Sequence, residues 1–123
     1  MSNNSNIIFG REGEKVALKF LQNKGYKLLH KNWRHKKAEI DLIVKKQNKV
    51  VFVEVKTRKN SINSLINDVV SFSQQKRIVD AAHHYIDEFN VDEDVRFDLI
   101  EVHMPNKSAK FVHHKDFTYP ALL

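Results

Sequence analysis

The spacing of hydrophobic residues predicts two amphipathic helices. From Gly10 to Gly25 the chain places about one apolar pair per helical turn, and Gly25 is a typical C-terminal stop. Ser71 can cap a second helix that runs to about Asn90, because a serine hydroxyl accepts hydrogen bonds from the free N–H groups of a first turn. The predicted apolar stripes are Val16, Ala17, Phe20 and Leu21 in the first helix and Ile78, Val79, Ala82, Tyr85, Ile86 and Phe89 in the second.

Five stretches rich in β-branched and aromatic residues predict strands. Together with the helices they give the order αβββαββ, which predicts an α/β fold with a central sheet flanked by helices. We expect residues 10–118 to form a single domain between a flexible N-terminus (1–9) and a C-terminal tail (119–123), with residues 59–70 as a loop. The predicted strands are Tyr26–Trp33, Ala38–Lys46, Lys49–Arg58, Val95–His103 and Ala109–His114.

The second and third strands form a predicted hairpin whose numbering fixes its facing pairs. If Gln47 and Asn48 are the turn, Ile43 faces Phe52, Asp41 faces Glu54, and Glu39 faces Lys56. Strand alternation places these six side chains on one face. The opposite face is wholly apolar, and we expect it to be the core; its members are Ile40, Leu42, Val44, Val51, Val53 and Val55.

Two carboxylates directly opposite one another repel unless a positive charge lies between them. A divalent cation such as Mg²⁺ is the simplest solution, and Asp41, Glu54 and the backbone carbonyl of Val55 offer the oxygen ligands that it prefers. Lys56, on the same face, would then lie beside an attacking water and the phosphate that it attacks. A Glu-x-Lys strand taken alone is also typical of a solvated surface with a weak ion pair, and that alternative stays open.

The composition of the chain excludes several classes of protein. The 123 residues include no cysteine, which excludes a disulfide framework, a thiolate metal site and a cysteine nucleophile. The longest apolar run, Val50–Val53, is far below the roughly 18 residues needed to span a bilayer, and the polar start of the chain lacks a signal-peptide pattern, so we expect a cytoplasmic protein with no membrane partner. The first 50 residues hold 12 of the 21 Lys and Arg but only four of the 15 Asp and Glu, which favours a polyanionic partner.

Several sequence motifs resemble those of the YraN family, whose members are similar to PD-(D/E)XK endonucleases and archaeal Holliday-junction resolvases. The resemblance runs from about Gly10 to Val102. It implies a restriction-endonuclease-like core with a mixed sheet, gives Asp41, Glu54 and Lys56 the catalytic places, and makes Glu14 an additional metal-site carboxylate. The motifs that carry this resemblance are Gly13-Glu14-x-x-Ala17, Gly25-Tyr26, Asn32-Trp33-Arg34, Glu39-Ile40-Asp41-Leu42-Ile43, Phe52-Val53-Glu54-Val55-Lys56-Thr57-Arg58 and Arg96-Phe97-Asp98.

Candidate substrate contacts surround these residues. Gln75 lies within the apolar stripe of the second helix and so points at the sheet, either as a phosphate ligand or as a polar residue of the first turn, whereas Gln74 lies at the edge of that stripe. The family usually has lysine at position 74. The remaining candidates for phosphate contact are Arg58, Lys36, Lys37 and Lys45.

Other polar and aromatic residues have simpler interpretations. The seven histidines lack a ligand spacing, so we expect them at the surface, and we expect Arg96 to pair with Asp98 on one strand face. Trp33 fits the core better than a base-stacking role.

Two hypotheses lead. The first is a Mg²⁺- or Mn²⁺-dependent nuclease that hydrolyses DNA phosphodiester bonds, including those of branched or repair intermediates. The second is a nucleic-acid-binding module of repair or recombination with little turnover. A scaffold that binds a protein partner is a third, weaker alternative. A homodimer is compatible with each of them.

Overall fold

The computed structural model describes residues 2–59, 72–104 and 108–117. Its elements follow the predicted order of one helix, three strands, one helix and two strands. The second and third strands have the predicted bounds, and most of the other ends lie within two residues of prediction. The elements are α1 (Ser2–Asn23), β1 (Lys27–His35), β2 (Ala38–Lys46), β3 (Lys49–Arg58), α2 (Phe72–Glu88), β4 (Asp94–His103) and β5 (Lys110–His114).

The strands form one mixed sheet in the spatial order β1-β2-β3-β4-β5. All neighbouring pairs are antiparallel except β3 and β4, which run parallel. A parallel pair needs a crossover connection, and α2 lies in this connection. In the hairpin, Ile43 pairs with Phe52 around a turn at Gln47 and Asn48, as the numbering predicted. The α/β fold with a mixed sheet flanked by helices is thereby confirmed.

Each helix covers one face of this sheet. We expected only one face of the hairpin to be core; this is wrong, because α2 buries Ile43 and Phe52 on the other face. The cluster under α1 contains Ala17, Leu21, Tyr26, Leu42, Val44, Val51, Val53, Val55, Ile100 and Val102, and the cluster under α2 contains Ala38, Ile40, Ile43, Val50, Phe52, Ala81, Ala82 and Tyr85.

The alternation of β2 shifts between Ile40 and Leu42. Strict alternation would place these two side chains on the same face, yet Ile40 packs under α2 and Leu42 under α1. The β2–β3 ladder also ends at the pair Leu42–Val53. The predicted placing of Ile40 on the uniform apolar face is therefore wrong, and β2 departs from β3 at Asp41.

The first helix is longer than predicted. It begins at Ser2, so the predicted start at Gly10 is wrong. Gly10 does not end the helix because a single helical glycine costs only about 1 kcal/mol relative to alanine. Residues 60–71, which include most of the predicted loop and the Ser71 cap, and the tail 119–123 lie outside the described residues. Neither described helix combines the length and apolar character needed to cross a membrane.

A buried polar network joins β4 to β5. Asp98 is 1% exposed and accepts hydrogen bonds from Arg96, as predicted, and from the backbone N–H of Asp116, while the His113 ring bonds it at 2.7 Å. Burial alone would raise the pKa of Asp98, but these bonds hold that pKa at about 2. His103 is also fully buried, so the prediction of surface histidines is wrong for His103 and His113.

Candidate metal centre

The point where β2 leaves β3 holds a buried carboxylate. Asp41 is 8% exposed, and its Oδ2 accepts a hydrogen bond of 2.8 Å from the backbone N–H of Val55. Because a strand residue directs its N–H and C=O toward the same neighbour, the Val55 carbonyl oxygen lies on the Asp41 side as well. The gap beyond the end of the β2–β3 ladder therefore contains two oxygen atoms from adjacent strands that could ligate a metal.

Glu54 and Lys56 lie on β3 beside this gap. The Glu54 side chain is 11% exposed, and its Oε1 is 3.8 Å from the Lys56 ammonium nitrogen. Burial, then the charge of Glu54, raises the pKa of Asp41 well above its usual range. Burial also raises the pKa of Glu54, although the charge of Lys56 offsets part of this effect. A raised pKa in both carboxyls means that the fold disfavours two bare negative charges here.

Two further carboxylates reach the same point. Glu14 comes from α1 and Glu39 from β2, and one oxygen from each lies within 4.8 Å of one another and of an Asp41 oxygen. Arg11 and Asn32 each donate hydrogen bonds of 2.8–3.2 Å to both Glu14 and Glu39. These donors hold the two glutamates together despite their like charges.

Asn32 and Gly13 have backbone features that build this arrangement. Asn32 has a φ of 51°, a left-handed conformation that asparagine tolerates better than most residues. Gly13 packs on β3, where an added Cβ would lie 1.9 Å from Thr57 Oγ1. Only glycine permits this approach, and it brings the next residue, Glu14, over the sheet end.

The donor set fits a hard divalent cation. Glu14, Glu39 and Asp41 bring carboxylate oxygens within 4.8 Å of one another, and Glu54 lines the same cavity as Asp41. Carboxylate oxygens, together with a backbone carbonyl such as that of Val55, are the ligands of Mg²⁺ and Mn²⁺. Among the described residues, the Glu14, Glu39 and Asp41 group is the only set of three or more potential ligand side chains within such a short range.

A cavity of about 240 Å³ opens from the carboxylates toward α2. Asp41 and Glu54 form part of its wall, and Lys37, Gln74 and Arg77 also line it. Gln74 and Arg77 share one helix face because they are three residues apart. The cavity thus has an acidic end and a basic rim, a distribution suited to an anionic group held beside bound metal.

Comparison with known sequences assigns the chain to a family. The model of the family described as "Uncharacterised protein family UPF0102" matches residues 13–102. The chain belongs to this family. A UPF0102 protein of Bacteroides thetaiotaomicron is 39% identical over 113 residues, which cover 92% of this chain and 93% of that protein. A UPF0102 protein of Flavobacterium psychrophilum is 39% identical over 110 residues, which cover 89% and 92% of the two chains.

In this UPF0102 member the structure brings the predicted catalytic and metal residues together. Asp41 and Glu54 line one cavity, Lys56 contacts Glu54, and Glu14 lies next to Asp41. Two predicted pairs lie beyond the last β2–β3 partners, Leu42 and Val53. Asp41 and Glu54 are not ladder partners, and Glu39 does not face Lys56 because it bonds Arg11, Asn32 and Arg34 instead.

The predicted substrate contacts are dispersed. Lys37 lines the cavity, and Lys36 is exposed in the same turn with a φ of 56°. Gln75 points inward and is 5% exposed, whereas its neighbour Gln74 lines the cavity. Lys45 lies four residues along β2 from Asp41 and pairs with Glu93 at 2.7 Å, so the structure does not bring it to the centre.

Arg58 and Trp33 are partly buried residues of β3 and β1. The Arg58 side chain is partly buried and donates a hydrogen bond to the carbonyl of Thr57. Trp33 packs against the cluster under α2 and is half-buried.

Sequence reasoning missed several residues that the structure brings to this candidate centre. Glu39 had a visible signal, since it is two residues from Asp41 on the same strand, but it was given no role. Asn32 belongs to the motif Asn32-Trp33-Arg34, but no function was predicted for it. The only signal for Arg77 was its helical spacing from Gln74. This spacing could not place Arg77 at the cavity, because tertiary packing decides which helix face meets the end of the sheet.

Proposed function

We propose that this protein is a Mg²⁺- or Mn²⁺-dependent nuclease that hydrolyses phosphodiester bonds in DNA. The observation that supports it most is the meeting of Asp41, Glu54, Glu14 and Glu39 at one end of the sheet, with Lys56 beside them. The resemblance of these positions to a PD-(D/E)XK site adds support. The basic first half of the chain favours a nucleic-acid substrate.

Each residue has a role in this proposal. Asp41, Glu54, Glu14 and the Val55 carbonyl hold the cation, which would supply Lewis-acid activation of water and of the phosphoryl oxygen. Lys56 orients the attacking water and stabilises the charge that grows on the phosphate. Lys37 and Arg77, on the cavity rim, contact the neighbouring backbone phosphates.

A second candidate is a nucleic-acid-binding module with little turnover. The contacts of Arg11 and Asn32 favour it, because their donors already occupy one oxygen of Glu14 and one of Glu39. A cation would have to displace these bonds to use the same oxygens. In this alternative the centre aids DNA binding without cleavage, in the cytoplasm as before, and a homodimer stays compatible with both candidates.

Cleavage assays distinguish the two. We expect the protein to cut at least one of flap, junction, single-stranded and duplex DNA when Mn²⁺ or Mg²⁺ is added, and to cut none with chelator. Asp41→Asn, Glu54→Gln and Lys56→Gln should each lower the rate by at least 100-fold while circular dichroism shows an unchanged fold.

A matched control uses a nearby glutamate. Glu12 lies on α1 two residues before Glu14 but is exposed, so Glu12→Gln should cut like the unmodified protein and Glu14→Gln should not. If the purified protein binds these substrates with metal but cuts none, the second candidate replaces the first.

A further inference from the structure

A second cavity, of about 350 Å³, lies at the opposite end of the hairpin. It lies on the α1 side of the sheet, where Tyr26 and Val51 form its floor within the cluster under α1. Five residues of β3 separate Lys49 from Glu54, about 17 Å along the strand. This cavity is therefore distinct from the one that opens at the carboxylates.

Three lysines from two parts of the chain converge on this cavity. Lys46 and Lys49 are Cα partners that flank the turn, and Lys115 comes from the segment after β5. Like charges placed directly opposite one another destabilise a hairpin. Lys46 is held in place by the Tyr26 ring, whose centroid is 5.1 Å from its ammonium nitrogen.

The lining contains one carboxylate and one arginine besides the lysines. Asp94 is the Cα partner of Lys49, but within the described residues no ion pair joins it to any of the three lysines. Arg96 is already neutralised by Asp98 at 2.7 Å and also bonds the Tyr26 hydroxyl. Three lysine charges thus face one carboxylate, and Gln47 and Asn48 add polar groups at the rim.

We propose that Lys46, Lys49 and Lys115 form a binding site for the phosphate group of a phosphorylated ligand. An anion placed between Lys46 and Lys49 removes their mutual repulsion, as a cation does for the carboxylates at the other end of the hairpin. The cavity volume lies within the range of small-ligand pockets, so it has room for a phosphate together with the sugar that carries it.

Two sources share this chemistry: the phosphorylated end of a DNA strand and a free mononucleotide. The site does not depend on whether the carboxylate centre hydrolyses DNA. The test therefore measures binding alone, in chelator, so that no metal at the carboxylates can attract phosphate.

The first measurement is a two-dimensional amide NMR titration with deoxyadenosine 5′-monophosphate. The backbone amides of Gln47 and Asn48 should shift in a saturable way, and the unphosphorylated nucleoside should leave them in place. The site variant replaces Lys46, Lys49 and Lys115 by glutamine, and the control replaces the exposed Lys19, Lys27 and Lys110, which removes the same charge. We expect at least tenfold weaker binding in the site variant and less than a twofold change in the control.

The second measurement separates the sources. Short single-stranded oligonucleotides with and without a 5′-phosphate are compared with the mononucleotide. Tighter binding of the phosphorylated oligonucleotide assigns the site to a strand end, and equal binding of the mononucleotide and that oligonucleotide assigns it to a free nucleotide.

Equal losses in the site and control variants, or phosphate-induced shifts confined to other parts of the chain, would overturn the proposal. Because Lys115 lies in an exposed turn, Lys115→Gln alone provides the same test if the triple variant does not fold.

Discussion

At the scale of single residues, the buried pair Asp41 and Glu54 makes the stability of the metal-free protein depend on pH. Both pKa values are raised by burial, so between pH 4 and neutrality the unfolded chain loses protons that the folded protein keeps. Their contribution to stability is present at low pH and lost as pH rises. Replacing both with amides should flatten this part of the stability profile, as urea unfolding in chelator at several pH values would show.

The single substitution Asp41→Asn separates charge from shape. It removes a carboxyl that at neutral pH must either keep its proton or add a second negative charge beside Glu54, so the metal-free variant should be as stable as the unmodified protein or more stable by about 1 kcal/mol. Metal should reverse the order, because a cation that binds only the folded state raises its stability by about 2.7 kcal/mol at 100 times its Kd. Melting curves with chelator and with millimolar Mn²⁺ check this, and equal metal shifts in both proteins would exclude Asp41 as a ligand.

At the scale of elements, the contact between α1 and β3 places Glu14. In Gly13→Ala the new methyl would overlap Thr57, so α1 must move away from the sheet. Overpacking of this kind costs about 1–3 kcal/mol, and the displaced Glu14 should weaken the Mn²⁺-induced rise in Tm. Gly10→Ala is the control, since a Cβ there meets nothing within 4 Å. Because alanine has the higher helix propensity, Gly10→Ala should gain up to about 1 kcal/mol. A loss of equal size in both variants would show that the contact with Thr57 is not responsible.

The join between β4 and β5 depends on the Asp98 carboxylate. Asp98→Asn leaves Arg96 buried beside a neutral partner and should cost about 3 kcal/mol at neutral pH. Because the pKa of Asp98 is held at about 2, its contribution is present above pH 4 and fades as pH falls toward 2. Chemical unfolding at pH 7 and pH 3 measures this, with the exposed Asp94→Asn as comparison. A cost that is equal at both pH values would contradict the charge argument.

The elements differ in how far sequence determines them. β2 and β3 were predicted to the residue because two β-branched runs flank a polar turn, and local pattern suffices for a hairpin. The start of α1 was missed because its polar first residues carry no periodic signal. The shift of β2 at Asp41 could not be predicted either, since it depends on where β2 leaves β3, a tertiary event that alternation cannot report.

At the scale of the whole molecule, the structure divides the basic residues into those near the centre and those elsewhere. If DNA binds at the cavity that opens toward α2, Lys36→Gln with Lys37→Gln should make the salt dependence of binding shallower by up to about 0.9 per lost contact. Lys45→Gln should leave that slope unchanged, because Glu93 already pairs with Lys45. Fluorescence anisotropy across a salt series measures both, and an equal effect of the two variants would argue for diffuse attraction.

The candidate site shows the same division between local and long-range information. Asp41, Glu54 and Lys56 could be predicted as neighbours because they lie on the two strands of one hairpin, even though the predicted register ends at Leu42 and Val53. The role of Glu14 could be predicted only through the family resemblance, because the sequence of a helix does not determine which end of the sheet the helix covers. Lys45 was misplaced because its partner Glu93 is distant in the chain, and distance along a chain does not reveal ion pairs.

The open edge at β1 carries a consequence for solubility. Its exposed Lys27, Lys31 and Arg34 put positive charge along the outer strand, and the register irregularity between Leu28 and His30 interrupts its regular hydrogen-bonding face. Such charges and bulges discourage a foreign strand from adding to a sheet. These charges therefore also protect the protein from edge-to-edge aggregation, and a polyanion that neutralised them would remove this protection.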